Sequence, residues 1–478
     1  MLANMEKNTS KFKSIFGYQD LTRNASPFVT MLIFMIPLLI SGFVNNGMSL
    51  VNSIVLKNTV GGDSVTAINQ TSPLSSLILQ FGFGCTSGFG VIIANLHGAK
   101  DSEKVKKAIS ISIFICILIW IVVAISGIAA LKPLLNLLHV NEAYYQKAYQ
   151  YFLILLITYI FSLLSNLSTH ILRALGNSFV VLIASFINLS CQIGVCYLLT
   201  SPHIGNLDTI GAGLAIAAAS IVNGVICFYF IFKKYPLNRS CIKYDKDITK
   251  DLIKLGFPLG LQWSILYIGT FVLASQINLY GVNASKGMAV YSSWEGLAIN
   301  TIMGVFGLMM SNYVGQNYGV KNFKRIKDGI KVGYLMVFIV YAIYLAILLP
   351  IVRYIPYIYL PKEEVNERIM FYSSTYLYIT ISFSLFQGLI NISRGALQGI
   401  KKPLFPFLSG IGELFARIVV SLLIPLIIDS NYRQTLSDAS YVGISFSTGS
   451  AWFISFIIMG SALYILLFKN SKLNIIDN

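Results

Sequence analysis

The chain is poor in charged residues, and in acidic ones most of all. Only 11% of its 478 residues are charged, with 19 Asp and Glu against 35 Lys and Arg, while 55% are hydrophobic. Mean hydropathy is +0.71. So little charge cannot cover the surface of a water-soluble domain of this length. The composition therefore excludes a soluble protein and predicts a membrane protein that crosses the bilayer many times.

Several kinds of chemical motif are also missing. No Gly-x-x-x-x-Gly-Lys-[Ser/Thr] loop for nucleotide phosphates is present, and the polar segments are too short for an ATPase domain. The six Cys have no metal-binding spacing, and most fall in apolar runs, where a thiol behaves as a small hydrophobe. No catalytic triad or metal cluster emerges. We therefore expect no enzyme activity, no metal and no cofactor, and any active transport would draw on a gradient of sodium ions or protons.

Uncharged runs long enough to cross a bilayer, about 20 residues, occur twelve times. They lie at about 27–56, 64–96, 108–131, 148–172, 176–200, 209–232, 255–283, 287–317, 332–352, 369–393, 403–428 and 439–468. The sequence thus predicts an all-α membrane protein with six helices in each half.

The distribution of Lys and Arg predicts the orientation of the chain in the membrane. If the N-terminus is cytoplasmic, 26 of the 35 basic residues lie on that side, because segments 97–107, 233–250 and 319–331 are all basic. Segments 57–63, 132–147 and 353–368 are then external, and both termini are cytoplasmic. This topology explains the net charge of +16 without a nucleic-acid partner. We predict a multi-pass protein of the cell membrane, without a cleavable signal peptide.

The sequence repeats itself at one constant spacing. Pro37 recurs as Pro258, the motif at 98–101 recurs at 319–322, and Arg173 recurs as Arg394. Recurrence at one spacing indicates two homologous halves, an arrangement found in many secondary transporters. The predicted organisation is a cytoplasmic segment (1–26), an N-terminal lobe (27–232), a cytoplasmic linker (233–250), a C-terminal lobe (251–468) and a cytoplasmic tail (469–478).

Polar side chains follow one face of several predicted helices. The first helix has Ser41, Asn45, Ser49 and Asn52 at helical spacing, the second has Asn69, Pro73, Ser76 and Gln80, and the fifth has Asn188 and Gln192. Such side chains are unfavourable against lipid, so they line a polar cavity or bond neighbouring helices. Because three helices each have such a polar face, we favour the cavity over bonds between neighbouring helices. The candidate cavity residues are Asn45, Asn52, Asn69, Asn188, Gln192, Gln262, Gln276, Tyr291 and Trp294.

Three charged residues lie within the predicted membrane spans. Glu413 and Arg417 are one helical turn apart and can pair, either as a packing element or as part of ion coupling. Glu295 follows Tyr291 and Trp294 and has no basic residue nearby in the sequence. A carboxylate in this setting suits reversible protonation or cation binding. Glu295, Glu413 and Arg417 are the candidates for ion coupling.

Two kinds of helix feature also suggest function. Pro37 and Pro258 lie inside helices, where the ring prevents a backbone hydrogen bond, so we interpret them as hinges. The Gly-x-x-x-Gly patterns at 84–88 and 256–260 allow close helix approach, although the pattern is a weak signal alone.

These motifs together resemble the multidrug and toxic compound extrusion (MATE) transporters, part of a larger group that includes lipid-linked sugar flippases. The resemblance covers nearly the whole chain. It is carried by Pro37 and the pattern after it, by the segments 72–74, 88–107, 173–177, 256–258 and 314–319, and by 394–399 and 413–417.

The resemblance implies two six-helix lobes around a V-shaped cavity, alternating access by rocking of the lobes, and export of organic cations in exchange for sodium ions or protons. Two positions depart from the family. Asn52 and Gln192 stand where many members carry an Asp, and neither amide can titrate.

We predict a monomeric antiporter that exports amphipathic cationic compounds, with small organic substrates and membrane lipids as its partners. One alternative is a flippase for a lipid-linked sugar or another anionic lipid, but the few basic residues within the membrane argue against a cationic cavity. A non-transporting scaffold or receptor is the other alternative, and the repeat and the polar stripes disfavour it.

Overall fold

The fold is helical throughout the part of the chain that the structure describes. The structure, a computed structural model, describes residues 17–23, 25–137, 140–202, 204–238 and 244–469. Within these ranges there are no strands, and twelve helices are long and apolar enough to cross a membrane, as predicted. They are α1 (Pro27–Thr59), α2 (Gly61–Gly98), α3 (Ser102–Leu137), α4 (Glu142–Ala174), α5 (Ser178–Thr200), α6 (Asp208–Lys234), α7 (Lys246–Asn278), α8 (Val282–Gly319), α9 (Phe323–Leu348), α10 (Glu367–Gly399), α11 (Leu404–Ile428) and α12 (Asp438–Tyr464).

Short helical turns extend or connect these helices. Residues Leu349–Tyr354, Pro356–Tyr359 and Lys362–Glu364 lie between α9 and α10, Tyr432–Thr435 lies between α11 and α12, and Ile465–Lys469 follows α12. Helix α8 contains a π-helical stretch, Glu295–Asn300, between two α-helical parts.

The starts of four helices are fixed by asparagine caps. The side chains of Asn141, Asn177, Asn322 and Asn366 accept hydrogen bonds from backbone N–H groups in the first turns of α4, α5, α9 and α10. Such caps satisfy donors that the helix itself leaves without a partner. The polar residues between the apolar runs therefore determine where these helices begin.

The internal repeat is visible in the backbone. Lys100 and Lys321 occupy equivalent positions of the two repeats, and they adopt left-handed conformations with φ of 60° and 55°. This conformation is uncommon for residues other than glycine. The same turn is thus built twice, after α2 and after α8.

The predicted boundaries of α7 were wrong at both ends. The sequence predicted 255–283, whereas the helix spans Lys246–Asn278. Its first turns are polar and carry no hydropathy signal, because they extend beyond the apolar run. The chain after it turns at Gly281, whose φ of 89° is not helical. Pro37 and Pro258 lie inside the continuous helices α1 and α7, and their role as hinges stays a prediction.

The chain divides into two compact units. Unit 1 contains the described residues up to Ala25, together with Val29–Ser264 and Gly315–Lys321. In it α4 packs on α2, α3 and α6, and α6 also packs on α5. Unit 2 contains Ser26–Phe28, Ile265–Val314 and the chain from Asn322 onward. In it α12 packs on α10 and α11, and α10 packs on α8 and α9.

The predicted close helix approach is confirmed within unit 1. A Cβ atom at Gly88 of α2 would lie 2.7 Å from the Cα of Gly256 in α7, and one at Gly84 would overlap the backbone of Leu259 and Gly260. Two Gly-x-x-x-Gly patterns therefore face each other, and no side chain fits between the two backbones.

Single-cysteine labelling tests the predicted orientation. Lys324 and Lys362 are both exposed, and the basic-residue distribution places them on opposite sides of the membrane. We expect a membrane-impermeant maleimide added outside intact cells to modify Lys362→Cys and to leave Lys324→Cys unmodified until the cells are permeabilised. The reverse pattern would invert the topology.

Candidate ion and substrate site

The Glu295 side chain lies at a break in the hydrogen-bonding pattern of α8. The π-helical stretch begins at Glu295, and the Thr301 hydroxyl donates to the Gly296 carbonyl oxygen at 3.1 Å. Isolated π-helical turns are rare and occur often at functional sites. The carboxylate remains partly accessible and makes no ion pair with a described residue. This local distortion was not predicted from the sequence.

Several aromatic side chains of unit 2 lie near Glu295. Tyr291 is 1% exposed and its ring lies 4.1 Å, centroid to centroid, from that of Tyr376. The Tyr291 hydroxyl is directed towards the Glu295 carboxylate, yet it forms no hydrogen bond of ordinary geometry with any described residue. Trp294 and Tyr344 lie beside each other, and Glu295 acts electrostatically on Tyr344. Tyr291, Tyr344 and Tyr376 therefore all lie within electrostatic range of the Glu295 carboxylate.

A positive charge that acts on Glu295 comes from a different helix. Arg417 of α11 acts electrostatically on Glu295, although the two do not form an ion pair. The sequence showed no basic residue near Glu295, because Arg417 lies three helices further along the chain. The Tyr376 hydroxyl, on α10, hydrogen-bonds Thr448 of α12 at 2.8 Å. With Tyr344 of α9, five helices of unit 2, α8 to α12, thus contribute to the surroundings of this carboxylate.

Glu413 belongs to a buried polar network. Its Oε1 lies 3.1 Å from Nη2 of Arg394 and accepts a hydrogen bond from the Ser455 hydroxyl at 2.8 Å. Ser455 also bonds Ser409. Glu413 is 3% exposed and Arg394 is 8% exposed. The carboxylate is therefore bonded from both α10 and α12.

The predicted pair of Glu413 with Arg417 is present but is the weaker contact. Its Nη2–Oε2 distance is 3.8 Å, against 3.1 Å for Arg394. Arg417 instead donates from Nη1 to the Leu266 carbonyl oxygen at 3.2 Å. Helical spacing identified the partner on the same helix and could not find the closer one on α10. These contacts favour a packing role for Glu413, and its role in ion coupling stays a prediction.

The amide residues proposed for a cavity have different surroundings in the described part of the structure, and their common cavity stays a prediction. Asn45 and Asn69 are exposed, and Asn188 donates to the Ala219 carbonyl oxygen of α6 at 2.9 Å. That bond matches the alternative interpretation, in which an amide links two helices. The side chain of Asn52 lies outside the described part of the structure. Gln276, in unit 2, is partly buried.

Two amides are deeply buried in unit 1. Gln192 is 7% exposed and Gln262 is 0% exposed. Neither amide atom of Gln262 has a hydrogen-bond partner among the described residues. A buried amide without a partner is costly, so Gln262 remains a candidate for contact with a ligand or water.

Within the described residues, no group of three His, Cys, Asp or Glu could hold a metal ion. Four of the cysteines, Cys85, Cys116, Cys196 and Cys227, are free and buried, and Cys191 is partly exposed. Cys241 lies outside the described residues. The burial of the four agrees with their interpretation as small hydrophobic side chains.

Comparison with known proteins identifies the family of this twelve-helix chain. The profile of the MatE family matches residues 37–198 and 258–423, one segment in each repeat. The chain belongs to the MatE family. The resemblance to MATE transporters is thereby confirmed, and it places the chain in a family of multidrug efflux transporters.

Curated relatives and solved structures agree with the MatE assignment. The chain is 23% identical to "Probable multidrug resistance protein YoeA" of Bacillus subtilis, covering 79% of this chain and 82% of the relative. It is 22% identical to "Multidrug export protein MepA" of Staphylococcus haemolyticus, covering 81% and 84%.

Among solved structures, a MATE protein in complex with MaL6 superposes with a TM-score of 0.77 at 18% identity, covering 95% of this chain and 98% of that chain. An outward-facing multidrug resistance MATE family transporter gives 0.75 at 19% identity, covering 96% and 99%. At these identities the structures support the fold.

Proposed function

We propose that this MatE chain exports amphipathic organic cations in exchange for sodium ions or protons by alternating access. The observation that carries the proposal is the Glu295 carboxylate, which is partly accessible, lacks an ion pair among the described residues and stands among aromatic rings. Aromatic faces attract organic cations, and a carboxylate adds a full opposite charge. The multidrug names of the relatives support the export of small organic compounds.

The buried arginines of unit 2 support a cationic rather than an anionic substrate. Arg394 and Arg417 both lie close to the Glu413 carboxylate, at 3.1 and 3.8 Å. Their charge is therefore partly compensated, and Glu295 adds a second negative charge nearby. A flippase for anionic lipids would need an excess of positive charge in the same region.

A proteoliposome assay tests this function. The purified protein would be reconstituted with the fluorescent cation ethidium, and transport would be followed with an imposed sodium gradient, an imposed proton gradient or neither. We expect one gradient to accelerate ethidium movement over the gradient-free rate. Equal rates in all three conditions, with ethidium bound by the protein, would rule out coupling to either ion.

A second prediction concerns the two amides at family acid positions. Because Asn52 and Gln192 cannot titrate, ion coupling in this chain should depend on the carboxylates of the C-terminal half. We expect Asn52→Ala and Gln192→Ala to retain most of the ion-dependent transport rate in the same vesicles. Asn58→Ala, an exposed position on α1, is the matched control. Loss of ion dependence in the first two variants alone would locate coupling in the N-terminal half.

A further inference from the structure

A short segment ahead of α1 is tied to the ends of two membrane helices. We name residues 17–23 the strap. The Gln19 N–H donates to the Gly176 carbonyl oxygen after α4 at 2.9 Å, and the Leu21 N–H donates to Oε1 of Gln316 in α8 at 3.0 Å. Nδ2 of Asn317 donates back to the Leu21 carbonyl oxygen at 3.1 Å. Leu21 is 1% exposed. All of these residues belong to unit 1.

The backbone of the strap packs closely against the chain at Gly176. Gly176 has a φ of 84°, and a Cβ atom there would overlap the carbonyl oxygen of Gln19. Glycine therefore permits both the turn and the close approach of the strap. At the start of the strap, the Tyr18 hydroxyl donates to the Phe230 carbonyl oxygen at 2.8 Å, and Nζ of Lys234 lies 3.6 Å from the centre of the Tyr18 ring.

The strap bonds the part of α8 that crosses α2. A Cβ atom at Gly98 would overlap the Gln316 carbonyl oxygen, and one at Gly319 would overlap the Asn95 carbonyl oxygen. Gly98 and Gly319 are equivalent positions of the two repeats, as are Asn95 and Gln316. We name this contact the glycine crossing. Each glycine faces a backbone carbonyl of the other helix, so the crossing has twofold internal symmetry.

Gln316 connects the strap to this crossing. Its Oε1 accepts from the strap, while its Nε2 donates to the Ala174 carbonyl oxygen at the end of α4 at 2.8 Å. Gln316 is 1% exposed and Asn317 is 0% exposed. Removal of the strap would leave buried polar groups of both side chains without these partners, which is unfavourable unless water enters.

We propose that the strap is a latch that holds the glycine crossing shut, and that the strap must leave Gln316 and Asn317 before the end of α8 can separate from α2. The proposal rests on the proposed alternating access, in which contacts between helix ends must break and re-form in each transport cycle. The repeat accounts for the symmetric contact between α2 and α8. The strap adds a third segment to this contact, on the α8 side. Its few hydrogen bonds and single buried side chain allow release within a transport cycle.

Thiol accessibility tests the latch without requiring transport. The reporter is Val91→Cys, one turn deeper in α2 than Asn95, where the native side chain is 3% exposed. It is placed in a variant of the full-length protein without its native cysteines. A charged methanethiosulfonate reagent is added to each face of membrane vesicles in turn. We expect Leu21→Ala and Gln316→Ala each to raise the modification rate at least tenfold from the face that carries the strap.

The matched control is Gln398→Ala, which removes another buried glutamine side chain, one in unit 2. It should leave the rate unchanged. If Gln316→Ala does not insert into the membrane, Leu21→Ala alone tests the proposal. Unchanged rates in the strap variants that insert, or equal acceleration by Gln398→Ala, would overturn the latch. Faster modification in a protein that shows no ion-coupled transport would support the latch and contradict the proposed function instead.

Discussion

Glu295→Gln is expected to reduce ion-coupled ethidium transport at least tenfold while leaving expression and folding intact. The amide has nearly the same shape as the carboxylate but carries no charge, so it can neither release a proton nor neutralise a cation. A loss of about 1.4 kcal/mol of interaction in the transport cycle corresponds to a tenfold change. The substitution leaves no buried charge without a partner, because Glu295 forms no ion pair with a described residue.

Three further variants give this prediction its controls. Glu295→Asp keeps the charge and should retain ion dependence at a reduced rate. Glu363→Gln removes an exposed carboxylate outside the membrane helices and should behave as the unmodified protein. Tyr376→Phe removes the hydroxyl that bonds Thr448 and tests whether the ring alone is sufficient. Normal transport and unchanged ion dependence in Glu295→Gln would show that another group couples the ion.

The number of helices could be predicted from the sequence because bilayer thickness and hydropathy together determine it. The repeat could be predicted because Lys100 and Lys321, which form the same left-handed turn, recur at one spacing in the sequence. Gly98 and Gly319 recur at the same spacing, and the crossing leaves no room for a side chain at either position. The ends of α7 could not be predicted from hydropathy, since its polar first turns lie beyond the apolar run.

The partners of buried charges were harder to predict than the charges themselves. Helical periodicity relates Glu413 to Arg417, but it contains no information on which helix packs against that face. Arg394 lies on the preceding helix, α10, and forms the shorter contact. The repeat offered one signal, since Arg394 is the repeat equivalent of Arg173. The aromatic residues Tyr344 and Tyr376 near Glu295 gave no comparable signal, because Tyr is common in this chain, at 27 residues.

Glu413→Ala is expected to destabilise the protein severely. It would leave the guanidinium groups of Arg394 and Arg417, 8% and 5% exposed, without their carboxylate. Removal of one partner from a buried ion pair costs about 3–5 kcal/mol, because the remaining charge stays desolvated. We expect a much lower midpoint of thermal unfolding, or little folded protein, measured by fluorescence-detected size exclusion after heating.

The double variant Glu413→Leu with Arg394→Leu separates a packing role from a coupling role. The double variant also lacks the Arg394 guanidinium that Glu413 contacts, so a packing role predicts that it regains more than half of the stability lost in Glu413→Leu alone. Glu363→Ala, an exposed position, is the control for loss of a carboxylate. Retention of full stability in Glu413→Ala, combined with loss of ion dependence, would contradict the packing role. Ion coupling would then have to be shared between Glu413 and Glu295.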